Sequence, residues 1–155
     1  MTPACVALDH AGVRYSVHPY EHDPTTESYG LEAVDALGVE PDLVFKTLMA
    51  ELDTGELVVA ILPVAEMLNL KSLAGVFSTK RAAMADVRVA ERSSGYVAGG
   101  ISPLGQRTLR RTALDDSATV CETIFISGGR RGLDIEIDPT DLIPLLDAQV
   151  APLTR

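Results

Sequence analysis

The sequence predicts a mixed α/β fold in which a strongly twisted, mixed β-sheet is flanked by helices, in one domain over residues 1–155. The spacing of apolar residues favours this class. Some segments repeat apolar residues with the period of a helix, and others alternate apolar and polar residues as strands do. Residues 53–56 resemble a turn between two apolar runs, which is typical of a β-hairpin. Predicted helices separate other strands, which indicates crossover connections beside that hairpin.

Each element of the first half has its own local signal. Residues 2–12 are predicted as a helix, because threonine and proline open the segment and glycine closes it. Alternation over residues 13–18 predicts a strand, and apolar spacing predicts a helix over 31–38 that glycine ends. A further strand is expected to end near Leu52. The run 57–62 is apolar on both faces, so we expect a central strand there.

The second half is expected to combine helices with short strands. Helical patterns cover residues 64–77 and 86–95, and a last helix over 138–146 contains Pro144, which removes one backbone hydrogen bond. The strands predicted in this half cover residues 96–98, 110–114, 123–126 and 133–137.

Composition excludes several classes of protein. An apolar content of 46% with 23% charged residues is typical of a globular protein that buries a core. No apolar run is long enough to span a membrane, and the first residues lack a signal-peptide pattern, so we expect a cytoplasmic protein. Cys5 and Cys121 are expected to be free thiols. His18 and His22 flank a proline, which disfavours a helical zinc pair, and no metal or cofactor is predicted.

The net charge of −9 argues against a freestanding, tight nucleic-acid binder, because phosphate affinity comes largely from clustered lysine and arginine. Local basic clusters are nevertheless present. They leave two interpretations open, a solvated surface or a face that binds an anionic partner weakly. These residues are Lys80, Arg81, Arg88, Arg92, Arg107, Arg110, Arg111, Arg130 and Arg131.

Two glycine-dense segments interrupt the apolar pattern, at residues 99–105 and 127–134. Neither matches a Walker or a dinucleotide-binding fingerprint, so we do not expect nucleoside triphosphate or nicotinamide chemistry. Glycine suits a plain turn and also lets a ligand approach the main chain closely. Because both segments lie in an apolar context, we favour one pocket built from the two.

Four polar residues outside the segment at 99–105 are candidates for chemistry. Lys46 shares a strand face with apolar residues, so it either reaches water at a sheet edge or faces a cavity with an anionic or carbonyl-bearing ligand. Tyr20 either offers its hydroxyl to a pocket or packs at the surface. Asp134 and Glu136 project from one strand face, toward solvent or toward a cation such as an α-ammonium. Ser102 has no histidine at a position that suggests a catalytic triad.

Motifs spread along the whole chain resemble one family, the YbaK group of the YbaK and prolyl-tRNA synthetase associated domain family. Members of this family hydrolyse mischarged aminoacyl-tRNA. The matching motifs occupy residues 2–4, 20–24, 46–48, 85–86, 92–96, 99–105 and 128–136.

The resemblance implies a trans-editing enzyme without a cofactor that cleaves the ester of Cys-tRNA(Pro), and also of Cys-tRNA(Cys), with prolyl-tRNA synthetase as a transient partner. It implies that Lys46 is essential and that Tyr20 and Asp134 take part. In the family mechanism the thiol of the substrate attacks its own carbonyl, so the protein mainly orients groups. We expect Lys46 to bind the terminal ribose-phosphate or polarise the ester, Asp134 to hold the α-ammonium, and Tyr20 to support the pocket. The implied substrate-binding residues are Gly99, Gly100, Ile101, Ser102, Pro103, Gly128, Gly129, Tyr29 and Thr47.

Tyr29 stands where phenylalanine is expected in close relatives, which alters the polarity of the pocket. Two other functions stay open. Sibling groups of the same fold remove alanine with water, which would make the chain an Ala-tRNA(Pro) deacylase. A noncatalytic module that binds prolyl-tRNA synthetase or tRNA is the second alternative, and the intact Lys46, Tyr20 and Asp134 weigh against it.

Overall fold

Five α-helices, eight strands and two short 3-10 helices form the chain, and the computed structural model describes residues 1–155. The α-helices are α1 (Pro3–Ala11), α2 (Tyr29–Leu37), α3 (Leu70–Val76), α4 (Val87–Ser94) and α5 (Pro139–Leu146). The strands are β1 (Tyr15–Pro19), β2 (Phe45–Leu52), β3 (Leu57–Pro63), β4 (Ala82–Met84), β5 (Thr112–Asp115), β6 (Ile124–Arg130), β7 (Leu133–Ile137) and β8 (Gln149–Ala151). The 3-10 helices are Pro41–Leu43 and Asp116–Val120.

Capping residues account for where the helices begin and end. The Thr2 hydroxyl accepts a hydrogen bond from the Cys5 amide at the start of α1, and Gly12 ends that helix in the left-handed conformation. The Asp86 carboxylate accepts from two amides at the start of α4. The predicted first, second, fourth and last helices are therefore confirmed, and Pro144 lies inside α5. No helix has both the length and the apolar character needed to span a membrane.

The strands form two sheets, and the mixed α/β class is confirmed. One sheet has the order β1-β7-β6 and is antiparallel, and the other has the order β4-β2-β3-β5-β8 and is mixed. Strand β3 is central, as predicted, and all seven of its residues are buried. The largest core cluster contains apolar residues of both sheets, so the sheets share one core where a single sheet was expected.

Two predicted elements are wrong in extent or type. The helix predicted over 64–77 is limited to α3, because Asn69 caps it by accepting from the Ser72 amide and donates its own amide to Leu153. The strand predicted at 96–98 is a turn, since the amide of Gly100 donates to the carbonyl of Val97. The thiols of both cysteines are free.

The second glycine-dense segment is mostly strand. Strand β6 continues through Gly128 and Gly129 to Arg130, and its register against β7 shifts between Ser127 and Arg130, as a bulge does. Gly129 has a φ of +105°, which a residue with a side chain rarely adopts. The bulge turns the end of β6 toward the loop at residues 98–101.

Candidate functional site

A cavity of about 390 Å³, called the main cavity below, lies where the two sheets, α2 and α4 meet. Its wall contains seven of the predicted site residues. These are Tyr20, Tyr29, Lys46, Thr47, Gly99, Ile101 and Asp134. The prediction that both glycine-dense segments contribute to one pocket is confirmed, since Ser127 also lines it.

The main cavity lies along the edge of β2. Five consecutive residues, Phe45 to Met49, line it, whereas a cavity on one face of a strand would touch alternate residues. Strand β4 pairs with β2 only from Ala50 to Leu52, so the preceding part has a partner strand on one side, β3. A strand paired on one side leaves alternate amide and carbonyl groups free on the other. The backbone of β2 is thus a source of hydrogen bonds for a ligand.

Lys46 reaches the wall of the cavity from β2. Its Nζ donates to the carbonyl oxygen of Glu66 at 2.6 Å and to that of Val64 at 3.4 Å. Burial lowers the pKa of the Lys46 ammonium, and the charge of Glu66 acts in the opposite direction. No carboxylate oxygen lies within 4.0 Å of Nζ. The ammonium is held in place by neutral carbonyls and makes no direct ion pair.

Thr47, the next residue, has an unused polar atom. Its Oγ1 is buried without a hydrogen-bond partner in the structure. A buried hydroxyl without a partner costs free energy, so such groups are rare in folded proteins. A ligand in the main cavity would supply the missing partner.

Asp134 lies on β7, the central strand of the smaller sheet, between His18 and Ser127 on the neighbouring strands. Only 6% of Asp134 is exposed, and burial raises the pKa of its carboxyl to about 7. Glu136 is on the same face, as predicted, but outside the cavity. Its carboxylate bonds to His18 Nε2 at 3.0 Å and accepts from Thr123 Oγ1 at 2.5 Å. The two acids have different environments, and only Asp134 faces the main cavity.

Tyr20 follows β1 directly and is fixed by the β-ladder. Its amide donates to the carbonyl of Gly132 at 2.8 Å, and a Cβ on Gly132 would lie 2.6 Å from the carbonyl oxygen of Tyr20. Burial raises the pKa of the Tyr20 phenol to about 12, and the charges of Asp134 and Glu32 raise it further, whereas a backbone hydrogen bond from Gly132 opposes the shift. Tyr20 therefore stays protonated and is a hydrogen-bond donor beside Asp134.

Gly99 shapes the wall by making room for an aromatic ring. It has a φ of +85°, and a Cβ there would lie 2.7 Å from Cε1 of Tyr29. The same ring is contacted by the Arg131 guanidinium, which lies 5.0 Å from the ring centroid. Arg131 Nε also donates to the carbonyl of Ala98 at 2.8 Å. These contacts join α2, the loop at 98–101 and the β6–β7 turn.

Five of the predicted substrate-binding residues do not line the main cavity. Gly100 is buried against the Arg130 and Arg131 backbone, and Ser102 is fully buried. The remaining three are also occupied elsewhere. Pro103 lines a second cavity of about 410 Å³, Gly128 packs on Leu133, and Gly129 packs on Tyr96 and Thr2.

Several lining residues carry no signal that identified them. Val87 and Ala90 of α4 and Met84 of β4 belong to the apolar part of the wall, although their sequence pattern is that of ordinary surface or core positions. Ser127 is visible in sequence only as the start of a glycine-dense segment. Ser28 is the exception, because a serine before a helical pattern predicts an N-cap, and its Oγ accepts from the Leu31 amide.

The fold is shared with solved structures of low sequence identity. A proposed trans-editing enzyme for prolyl-tRNA synthetase superposes with a TM-score of 0.87 at 22% identity, over 99% of this chain and 95% of that one. A hypothetical protein, APE2540, superposes with a TM-score of 0.89 at 21% identity, over 99% of both chains. At these identities the likeness supports the fold alone.

The sequence comparisons reach further. A protein of Enterococcus faecalis, EbsC, which is named for a proposed Cys-tRNA(Pro)/Cys-tRNA(Cys) deacylase activity, is 33% identical over 136 residues. The alignment covers 87% of this chain and 83% of the relative. The family model described as the aminoacyl-tRNA editing domain matches residues 23–145, most of the chain and nearly all of the cavity wall. The chain therefore belongs to the aminoacyl-tRNA editing domain family.

Proposed function

We propose that this protein is a deacylase that cleaves the aminoacyl ester of mischarged Cys-tRNA(Pro). The observation that carries this proposal is the main cavity, whose wall contains both the Lys46 ammonium, which makes no ion pair, and the buried carboxyl of Asp134. An aminoacyl ester offers an ammonium, a polar carbonyl and a small side chain, and the wall has a group suited to each. The family and the Enterococcus faecalis relative support the same activity.

Asp134 is the proposed partner of the α-ammonium group. No lysine or arginine lies within 4.0 Å of its carboxylate, so the ligand would supply the missing cation. A charge-assisted hydrogen bond in a buried site is stronger than the same bond in water. The α-ammonium at Asp134 would place the ester carbonyl toward β2 and the loop at 98–101.

Lys46 and backbone amides are proposed to stabilise the developing charge on the carbonyl oxygen. Lys46 Nζ has two neutral carbonyl partners, so its positive charge is available to a nearby anion. Amide groups of Gly99 to Ile101 and of the β2 edge are candidates for an oxyanion site, because donors that are fixed before the reaction cost no reorganisation. Tyr20 supports Asp134 from the adjoining strand.

The substrate thiol is the proposed nucleophile. The wall of the main cavity contains hydroxyl groups but neither histidine nor cysteine. In the proposed step the cysteinyl sulfur bonds to the carbonyl carbon and the ester C–O bond breaks. The ribose oxygen leaves with the electron pair and takes up the proton that the thiol gave up. A cyclic thiolactone and free tRNA result, and the protein contributes orientation and charge stabilisation.

A deacylation panel tests the proposal. Rates on Cys-tRNA(Pro), Ala-tRNA(Pro) and Ser-tRNA(Pro) are compared at equal concentration for the wild type and for Lys46→Ala. We expect the cysteinyl ester to be cleaved fastest and the variant to lose about 100-fold or more, by analogy with removal of one charge-stabilising donor. Faster cleavage of the alanyl ester would replace the cysteinyl assignment by the alanyl one. Full activity of Lys46→Ala would remove this lysine from the mechanism.

Prolyl-tRNA synthetase is the proposed partner, in a transient complex. The net charge of −9 limits the affinity that the chain alone has for RNA, so a second protein that holds the tRNA would compensate. The solved trans-editing enzyme of the same fold is described in connection with that synthetase. We place the protein in the cytoplasm, where aminoacyl-tRNA is made and used.

A further inference from the structure

We propose that Arg131 binds a backbone phosphate of the RNA at the mouth of the main cavity, beside the ester that is cleaved. This inference rests on the proposed function and names a residue for RNA contact within it. The observations that carry it are the position of Arg131, its unused donors and the packing that fixes it.

The position of Arg131 is at the rim. The side chain is exposed, and its guanidinium contacts two residues of the cavity wall, Tyr29 through the ring face and Ala98 through the carbonyl. The guanidinium thus lies beside the wall of the cavity on the exposed side of Tyr29 and Ala98. Lys46, by contrast, is half-buried in the wall itself and is bonded to the carbonyls of Val64 and Glu66.

Only one donor group of the Arg131 guanidinium makes a hydrogen bond within the protein. Nε is bonded to Ala98, whereas neither Nη group has a protein partner, and no carboxylate lies within 4.0 Å. Arg111 shows the opposite case, since two of its nitrogens bind the Glu56 carboxylate at 2.8 Å and 2.6 Å. A guanidinium that is already oriented and presents free Nη groups matches the geometry of a phosphate.

The packing of Gly100 keeps Arg131 in this place. A Cβ on Gly100 would lie 2.8 Å from Cα of Arg130 and 2.9 Å from the amide nitrogen of Arg131. The loop at 98–101 therefore crosses directly over the β6–β7 turn, and this crossing brings the carbonyl of Ala98 to Nε. The contact between Arg131 Nε and the carbonyl of Ala98 therefore requires glycine at position 100.

The charges around the cavity favour one orientation of the bound ligand. Arg131 is at the rim, while the carboxylates of Asp134 and Glu27 and the ammonium of Lys46 line the wall. A phosphate is repelled by the two carboxylates and attracted by the rim, whereas an α-ammonium is attracted to Asp134. An aminoacylated RNA end carries both groups, and its orientation in the site is thereby set.

The test compares two substrates that differ in phosphate. One is the aminoacyl-tRNA(Pro) that the wild type cleaves fastest, and the other is the same amino acid esterified to adenosine, which has no phosphate. We expect Arg131→Gln to lower kcat/KM on the tRNA by about 10- to 100-fold, mainly through KM, because a charged hydrogen bond is lost. On the adenosine ester the change should stay within about twofold. Arg131→Lys should recover part of the loss.

Salt dependence and a neighbouring arginine provide the controls. The slope of log kcat/KM against log salt on tRNA should become smaller by about 0.7 in Arg131→Gln, the value for one phosphate contact on a single strand. Arg130→Gln is the matched control, since Arg130 is exposed at the end of β6 and the one hydrogen bond of its guanidinium is to the carbonyl of Arg131. We expect this control to stay within about twofold of the wild type.

Two results would overturn the inference. An equal loss on tRNA and on the adenosine ester would mean that Arg131 only supports Tyr29 and Ala98. No loss on either substrate would mean that the phosphate lies elsewhere. If the wild type cleaves no aminoacyl ester at all, the proposed function fails, which is a separate outcome from both.

Discussion

Asp134 combines an ordinary side chain with an environment that disfavours its charge. It is buried on the central strand of the smaller sheet with no cationic neighbour, and its carboxyl has a pKa of about 7. A buried charge without a partner costs free energy in the unliganded protein. A ligand ammonium removes that cost, so part of the binding free energy is available only to a cationic ligand.

The stability of the free protein should report this cost through its pH dependence. The folded state raises the pKa of Asp134 from 3.8 to about 7, so it favours the protonated form. The contribution of this group to stability is present below about pH 4 and is lost as the pH rises through about 7, by at most about 4 kcal/mol. Asp134→Asn should therefore have a higher Tm than the wild type at pH 8, and the advantage should shrink at pH 5.

The measurement is thermal unfolding of both proteins across this pH range. Asp147→Asn is a control, because Asp147 is an exposed carboxylate outside the main cavity. An advantage of Asp134→Asn that does not depend on pH would contradict the assigned pKa. Deacylation by Asp134→Asn should be strongly reduced, which separates the contribution to function from the cost to stability.

Thr47 allows a second test at the same scale. Thr47→Val keeps the shape of the side chain and removes the buried Oγ1 that has no partner. We expect the free energy of unfolding to rise by about 1 kcal/mol, since an unsatisfied buried group is removed. KM for the aminoacyl-tRNA should rise at the same time. Lower stability of Thr47→Val would show that the hydroxyl has a partner in the folded protein.

At the level of elements, the crossing of the loop at 98–101 over the β6–β7 turn positions the wall. Gly100→Ala places a methyl group 2.8 Å from backbone atoms that have little room to move. We expect a loss of about 1 to 3 kcal/mol in unfolding free energy, as for overpacking, and a fall in kcat/KM on tRNA. Urea unfolding and the deacylation assay measure the two effects.

Gly75→Ala is the matched control for that substitution. Gly75 lies inside α3, and a Cβ there meets nothing within 4 Å. Alanine should therefore raise the free energy of unfolding by about 0.5 to 1 kcal/mol. Similar destabilisation by both substitutions would show that the close approach at Gly100 is not the cause.

Local signals predicted the helices well, because caps act within one turn. Thr2, Asp86 and Gly95 have the roles that their types favour, and α1 and α4 begin and end where expected. Strands β4 and β8 could not be predicted, because three residues are too few for a periodic pattern. The passage of β6 through two glycines was also hidden, since it depends on pairing with β7.

Some residues of the candidate site could likewise be predicted from local sequence, whereas others could not. A lysine on an apolar strand face and an acid after a glycine-dense segment are local anomalies, and both Lys46 and Asp134 line the cavity. Arg131 and Ser127 gain their positions from the bulge and from the loop that crosses it. Such contacts join residues far apart in the chain, and no local pattern encodes them.

Across the whole molecule, acidic residues outnumber basic ones by 22 to 13, yet Arg111 is the one lysine or arginine with a carboxylate within 4.0 Å. The other basic side chains make no ion pair with a carboxylate, within a molecule whose net charge repels an anionic partner. This balance favours weak binding of RNA that depends on salt.

Prolyl-tRNA synthetase should increase the apparent affinity of the deacylase for aminoacyl-tRNA(Pro). We expect added synthetase to lower KM for aminoacyl-tRNA(Pro) several-fold and to leave the rate on the adenosine ester unchanged, because only the tRNA can be bound by both proteins at once. Steady-state kinetics with a synthetase variant that cannot bind tRNA provide the control. An equal effect of the synthetase on both substrates would indicate activation of the deacylase instead of joint binding.

The β6–β7 turn has a consequence for which esters the protein accepts. Arg131 in the turn and Asp134 on β7 are three residues apart, so their Cα atoms are at most about 11 Å apart, and Asp134 is fixed by its pairing with Ser127. With the proposed roles of Arg131 and Asp134, this separation sets the distance between the bound phosphate and the bound amino group. A peptidyl-tRNA has the phosphate but an acylated amine, so it would satisfy only Arg131. Nascent chains on tRNA would thus be spared by the same short turn that selects single amino acids.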